Sequence, residues 1–123
     1  LKVKKQGIVG GGNPVTALQC FMVDIKKGFF GTAAALQASD FQAPANKTYG
    51  VFKPALVSGW YNLDLTAAKG YINMVSTTSG GLTQIRLYFK LDDNGNTIAN
   101  YLSLYSGNAT SGKPQLVITY TLP

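Results

Sequence analysis

Hydrophobic and polar residues alternate with a period of two through much of this chain, and the alternating runs end at clusters of Gly, Asn, Pro and Ser. That rhythm predicts β-strands, because successive side chains on a strand point to opposite faces. The clearest run is residues 82–91, where Ile85, Leu87, Phe89 and Leu91 face one way and Gln84, Arg86, Tyr88 and Lys90 the other. Residues 1–6 alternate apolar residues with Lys ahead of the breaker Gly10-Gly11-Gly12-Asn13-Pro14. Residues 17–26 set Phe21, Val23 and Ile25 on one face and Leu18, Cys20 and Met22 on the other, so both faces of this strand need cover. Further strands are predicted over 49–57 and 60–65, on either side of Ser58-Gly59, and over 101–106, with Leu102 and Leu104 inward. Residues 114–122 read as a closing strand that lines up Leu116, Ile118, Tyr120 and Leu122.

Two stretches break the rhythm. Residues 32–41 are Ala-rich and lack β-branched side chains after Thr32, which predicts a short helix capped by Thr32. Residues 66–75, interrupted by Gly70, predict a helical turn or an irregular crossover. Together the elements predict an all-β fold: one antiparallel β-sandwich, jelly-roll-like, with one or two short helical turns. A chain of 123 residues has room for one such domain and a hydrophobic core.

Charge narrows the function classes. Eleven Lys and Arg face five acidic residues, all Asp, for a net charge of +6, and the chain contains no His and no Glu. The balance favours anionic partners such as acidic polysaccharide, lipid headgroups or nucleic acid. Basic residues scattered from Lys2 to Lys113, with no recognition motif, argue against nucleic acid. Without Glu and His, the commonest general acid–base groups and transition-metal ligands are missing, and an enzyme is not expected. Cys20 has no His to activate it and lies in an apolar run, where a buried, inert thiol is expected. No stretch approaches the ~20 apolar residues of a membrane span, so membrane insertion is not expected.

Three blocks carry a family resemblance. Trp60-Tyr61-Asn62-Leu63-Asp64-Leu65-Thr66 resembles the strand-to-turn block "W, apolar, D, apolar, T" of the disaggregatase-related (DNRLRE-type) β-sandwich domains. The strand over 82–91, followed by YLSLYSGNA (101–109) and KPQLVITY (113–120), resembles the closing half of the same domain. The resemblance implies a non-catalytic module of a larger secreted or cell-surface protein, similar to carbohydrate-binding modules for acidic polysaccharides. It also implies opening strands ahead of the segment matching residues 1–6, so residues 1–123 are expected to form an N-terminally incomplete module. Such a sandwich exposes unpaired backbone groups and an apolar groove, for which the expected partner is a complementing β-strand from the same or another chain.

Candidate sites follow from the same runs. If the strands over 82–91 and 101–106 pair through the loop between them, Arg86, Tyr88, Lys90, Tyr101 and Tyr105 share a solvent face. There sugar rings could stack on the aromatics while Arg86 or Lys90 receives a carboxylate. The same residues equally suit ordinary cross-strand neighbours. Trp60, the single Trp, faces outward by alternation and suits an anchor at a strand edge. Asp92, Asn94 and Asn96 offer alternating oxygens of the kind calcium requires, although Asp, Asn and Gly clusters also make ordinary turns. Calcium is the one candidate cofactor. Asn46 and Asn108 head N-glycosylation sequons in expected loops. Two functions are therefore expected. The first is an extracellular module for glycan binding or cell-surface adhesion, and the alternative is a structural subunit of a surface filament or layer, assembled by β-strand complementation between neighbouring subunits.

Overall fold

A computed structural model of the chain describes residues 1–122. Its strands are β1 (Lys2–Gly10), β2 (Phe21–Lys27), β3 (Lys47–Phe52), β4 (Leu56–Val57), β5 (Trp60–Asn62), β6 (Thr83–Phe89) and β7 (Asn100–Leu104). All pair antiparallel, in a four-stranded sheet ordered β4-β5-β1-β7 and a three-stranded sheet ordered β3-β2-β6. The expected all-β, sandwich-like fold is the one observed.

β1 ties the larger sheet together. Its first residues pair with β5, and beyond a bulge between Lys5 and Gly7 the strand continues into the glycine run to pair with β7. It reaches Gly10 because the backbones close up there: a Cβ on Gly10 would stand 1.8 Å from the Ala99 carbonyl oxygen. Next comes a one-turn helix, α1 (Pro14–Ala17), which the breaker motif concealed. Asn13 caps it by accepting the Val15 N–H, and Pro14 occupies the first turn, where a missing N–H costs nothing. β4 and β5 form a tight hairpin over Ser58-Gly59, whose φ values of 50° and 83° match the twist of the flanking strands.

The core fills the space between the sheets. Val3, Tyr61 and Leu63 from the larger sheet meet Phe21 and Val23 of β2, and Val15 of α1 joins them. Phe21 lies edge-on to Tyr61 and stacked on Phe89, with ring centroids 5.4 Å apart in both pairs. The alternation in β6 therefore holds: Ile85, Leu87 and Phe89 pack toward the core.

Three expectations are corrected. The helix expected over 32–41 is absent apart from a 3-10 turn at Ala38–Phe41, and Thr32 caps nothing, its hydroxyl donating to Gln37 Oε1 at 3.1 Å. Tertiary bonds override the Ala-rich propensity, because Gln84 Nε2 takes the Ala34 carbonyl that a helix would have used. The strand expected over 49–57 divides into β3 and β4, which belong to different sheets. Pro54, lacking an N–H, stands between them. The closing strand over 114–122 does not join a sheet among the described residues: Gln115 pairs with Lys2 through two backbone hydrogen bonds, and the segment beyond it enters no ladder. The crossover at 66–75 is as expected, a 3-10 turn at Thr66–Tyr71.

Candidate functional site

The five residues expected to share one face are divided between two sheets. β6 bonds to β2 and β7 to β1, so the loop between β6 and β7 crosses the sandwich. Arg86 and Tyr88 lie in the three-stranded sheet with Lys90 just past its end, whereas Tyr101 and Tyr105 belong to the four-stranded side.

Arg86 is moreover occupied. It faces Asp24 across the β2–β6 ladder, donating from Nε (2.9 Å) and from Nη2 to Asp24 Oδ2. Its Nη1 donates to the Asp40 carbonyl, and the Phe30 ring lies 4.6 Å from its guanidinium carbon. Asp24 Oδ1 accepts from the Thr48 hydroxyl and, at 3.3 Å, from the Tyr88 hydroxyl. Gln84 completes the arrangement, accepting from the Phe30 N–H and donating to the Ala34 carbonyl, each at 2.8 Å. Residues 28–46 are thereby clamped over the outer face of β2 and β6. The Asp24 carboxylate, on a side chain only 6% exposed and satisfied on both oxygens, acts as the clamp's anchor.

Burial, and then the charge of Asp24, push the Tyr88 phenol above its ordinary range, and burial does the same to Tyr61. The sign of the consequence is fixed. Both phenols are neutral in both states below about pH 10, and above it the unfolded chain ionises first, so stability falls as pH rises through the folded values. An alkaline titration of phenolate absorbance is expected to show a late-ionising fraction that disappears in denaturant. A single transition, identical in folded and unfolded protein, contradicts this assignment.

A different cluster of cations and aromatics lies on the outer face of the larger sheet. Lys4 pairs across β1–β5 with Trp60 and, through its carbonyl, accepts the Tyr105 N–H. The Lys4 ammonium sits 5.8 Å from the Trp60 ring centroid and 5.5 Å from that of Tyr105, while the Lys2 ammonium sits 5.4 Å from Trp60. Gly112 packs against the Lys4 and Tyr105 end of the row, where a Cβ would come within 2.7 Å of Lys4 Cδ and 3.3 Å of the Tyr105 ring. Among the described residues Arg86–Asp24 is the one ion pair, so Lys2 and Lys4 have no carboxylate partner. Asp64, beside the cavity lined by Leu1 and Leu65, is turned to Thr66. Its Oδ1 accepts from the Thr66 hydroxyl and N–H, and these bonds hold the carboxyl below its usual range.

The remaining candidates separate by local geometry. In the 92–96 loop, Asp93 Oδ1 accepts from the Gly95 N–H, Asn94 Oδ1 from Asn96 and Asn96 Oδ1 from Ile98. The side-chain oxygens of Asn94 and Asn96 each accept one backbone N–H in successive Asx turns, while Asp92, Asp93 and Asn94 line one cavity of about 220 Å³ together with Asn100. No group of three acidic, His or Cys side chains that could hold a metal occurs among the described residues. Asn46 and Asn108 are both exposed in loops, although Asn46 Oδ1 also accepts the Lys27 N–H at 2.7 Å. Cys20 is half-buried against the core, in a left-handed conformation (φ 71°), and its carbonyl accepts the Lys90 N–H.

Of the five residues expected to share a glycan-binding face only Tyr105 belongs to the cationic row, where its neighbours are Lys2, Lys4 and Trp60. The signal was nevertheless in the sequence: Lys2 and Lys4 are the outward positions of one alternating strand and Trp60 an outward position of another. What alternation could not supply is that these distant strands pair. In comparison with known proteins, the chain matches no family model, no curated sequence and no solved structure.

Proposed function

We propose that this chain is a non-catalytic, extracellular or cell-surface β-sandwich module that binds an acidic polysaccharide across the outer face of its four-stranded sheet. The observation that carries the proposal is the row Lys2, Trp60, Lys4 and Tyr105, in which flat aromatic faces alternate with cations that have no carboxylate partner among the described residues. Aromatic faces stack on sugar rings, and ammonium groups beside them receive the carboxylates that distinguish a uronic acid from a neutral sugar. A strand-borne site has the further merit of rigidity, since β1 and β5 hold Lys4 opposite Trp60 by backbone register. The resemblance to disaggregatase-related domains points toward the same ligand class.

Trp60 is the only Trp, so its fluorescence reports on the site directly. A polyuronate titration is expected to change that fluorescence saturably, more weakly at high salt, while a neutral glucan leaves it unchanged. Lys4→Ala is expected to weaken binding about tenfold, equivalent to about 1.4 kcal/mol. The proposal fails if Lys2→Ala and Lys4→Ala titrate like the parent, or if neutral and acidic polymers give the same response.

A further inference from the structure

The end of the chain and one side of the sandwich are complementary. Beyond Gln115 the segment 116–122 carries no charged residue and alternates Leu116, Ile118, Tyr120 and Leu122 with Val117, Thr119 and Thr121. It is exposed, with Ile118 at 51%, Tyr120 at 76% and Leu122 at 77% of full accessibility. Its first half lies loosely over a cavity of about 430 Å³ beside Leu1, Leu63 and Leu65, outside either sheet. An uncharged strand with one apolar face exposed to water stands in the most costly environment such a segment can occupy.

The acceptor lies where the two sheets end on one side. β6 and β7 are both terminal strands, one in each sheet. Between them Leu87, Phe89, Leu102 and Leu104 line a cleft of about 360 Å³. A second cleft of about 510 Å³, lined by Phe30, Phe41, Ile85 and Leu87, continues it along β6. The inward side chains of β6 are accordingly only partly buried, and its outer edge has no strand neighbour among the described residues. β6 spans seven residues, and so does the segment 116–122.

We infer that the segment 116–122 of one copy adds to the free edge of β6 in a second copy, its apolar face filling the gap between β6 and β7. Backbone pairing supplies the affinity and the alternate side chains the fit. Because donor and acceptor are different surfaces of the same chain, the contact is heterologous, and each copy added to an open end leaves a free donor or acceptor for the next. Absence of charge in the donor means that no ion is desolvated on insertion.

Sedimentation velocity tests this with the full chain, the exposed substitution Ile118→Asp, and a mixture of the two. The parent is expected to rise with concentration from the 13.1 kDa of one chain to twofold and beyond. Ile118→Asp alone is expected to remain at one chain mass. Fluorescently labelled Ile118→Asp, which keeps its acceptor, is expected to co-sediment with excess parent as a chain cap. Three results overturn the inference: a parent that stays at one chain mass at every concentration, an Ile118→Asp variant that assembles like the parent, or a labelled variant that stays single beside assembling parent. The last would assign the contact to symmetric pairing of two donor segments.

Discussion

Phe21→Ala is expected to cost about 3–5 kcal/mol, the range for truncating a large aromatic in a packed core. Phe21 is 2% exposed and touches both sheets, edge-on to Tyr61 from β5 and stacked on Phe89 from β6. Its removal leaves a void lined by strands whose positions are fixed by their own hydrogen bonds, so the surroundings can collapse only in part. The open side beside β6 and β7 makes matters worse, because that part of the core is already only partly buried. Against a total stability of roughly 5–15 kcal/mol for an ordinary domain, the loss is a large fraction. In urea it corresponds to a midpoint lowered by roughly 2 M at the slopes typical of small proteins. A shift below a quarter of that would mean that the two sheets do not depend on this contact. Phe21→Leu, which keeps most of the apolar volume, is expected to cost much less.

The parts of this fold that could be read in the sequence are those whose environment is set locally. β6 has one face on the core and one beneath the clamp loop, so its alternation survives intact from Thr83 to Phe89. The hairpin at Ser58-Gly59 is equally local, its conformation being a property of two residues. Elsewhere distant partners decide the local structure. The Ala-rich run over 32–41 has no hydrophobic stripe of its own, so bonds from Gln84 and Arg86, some fifty residues away, pull it into a loop. β3 and β4 adjoin in sequence but leave for different sheets at Pro54, an event that propensity cannot see. Residues 114–122 have the strongest strand pattern after β6, yet a pattern names a strand without naming its neighbour.

The site shows the same division. Aromatic and basic residues on outward positions were legible, and their grouping was not. Placing Arg86 beside Tyr105 assumed that consecutive strands form a hairpin, whereas the intervening loop exceeds the two to five residues that hairpins usually use. Its successive Asx turns carry the chain from one sheet to the other. Arg86 stands out in the sequence only as the single Arg beside ten Lys; the β2–β6 register sets it opposite Asp24, where its fork of donors is used.

That role predicts unequal costs for the two halves of the pair. Arg86→Met strands the Asp24 carboxylate in the middle of the central strand, where it keeps only the Thr48 and Tyr88 hydroxyls as donors. The expected loss is about 3 kcal/mol, the lower end of the range for breaking a buried ion pair. The lower end applies because the Arg86 side chain retains 22% of its exposure, against 6% for Asp24. Asp24→Leu should cost less, about 1–2 kcal/mol, since the long, part-exposed Arg86 side chain can swing its charge to water. Asp24→Leu with Arg86→Met should then be more stable than the sum of the single losses by at least about 1 kcal/mol, because neither charge is left alone. Denaturant melts of the four proteins measure all three quantities. Equal single losses, or strict additivity, would show that the pair is not the anchor of the clamp. The same Arg86→Met protein separates structure from binding: under conditions where it is fully folded, it is expected to bind polyuronate as the parent does, because the row proposed to bind it lies on the other sheet. A folded Arg86→Met protein that has lost binding would move the site to the face that the clamp now covers.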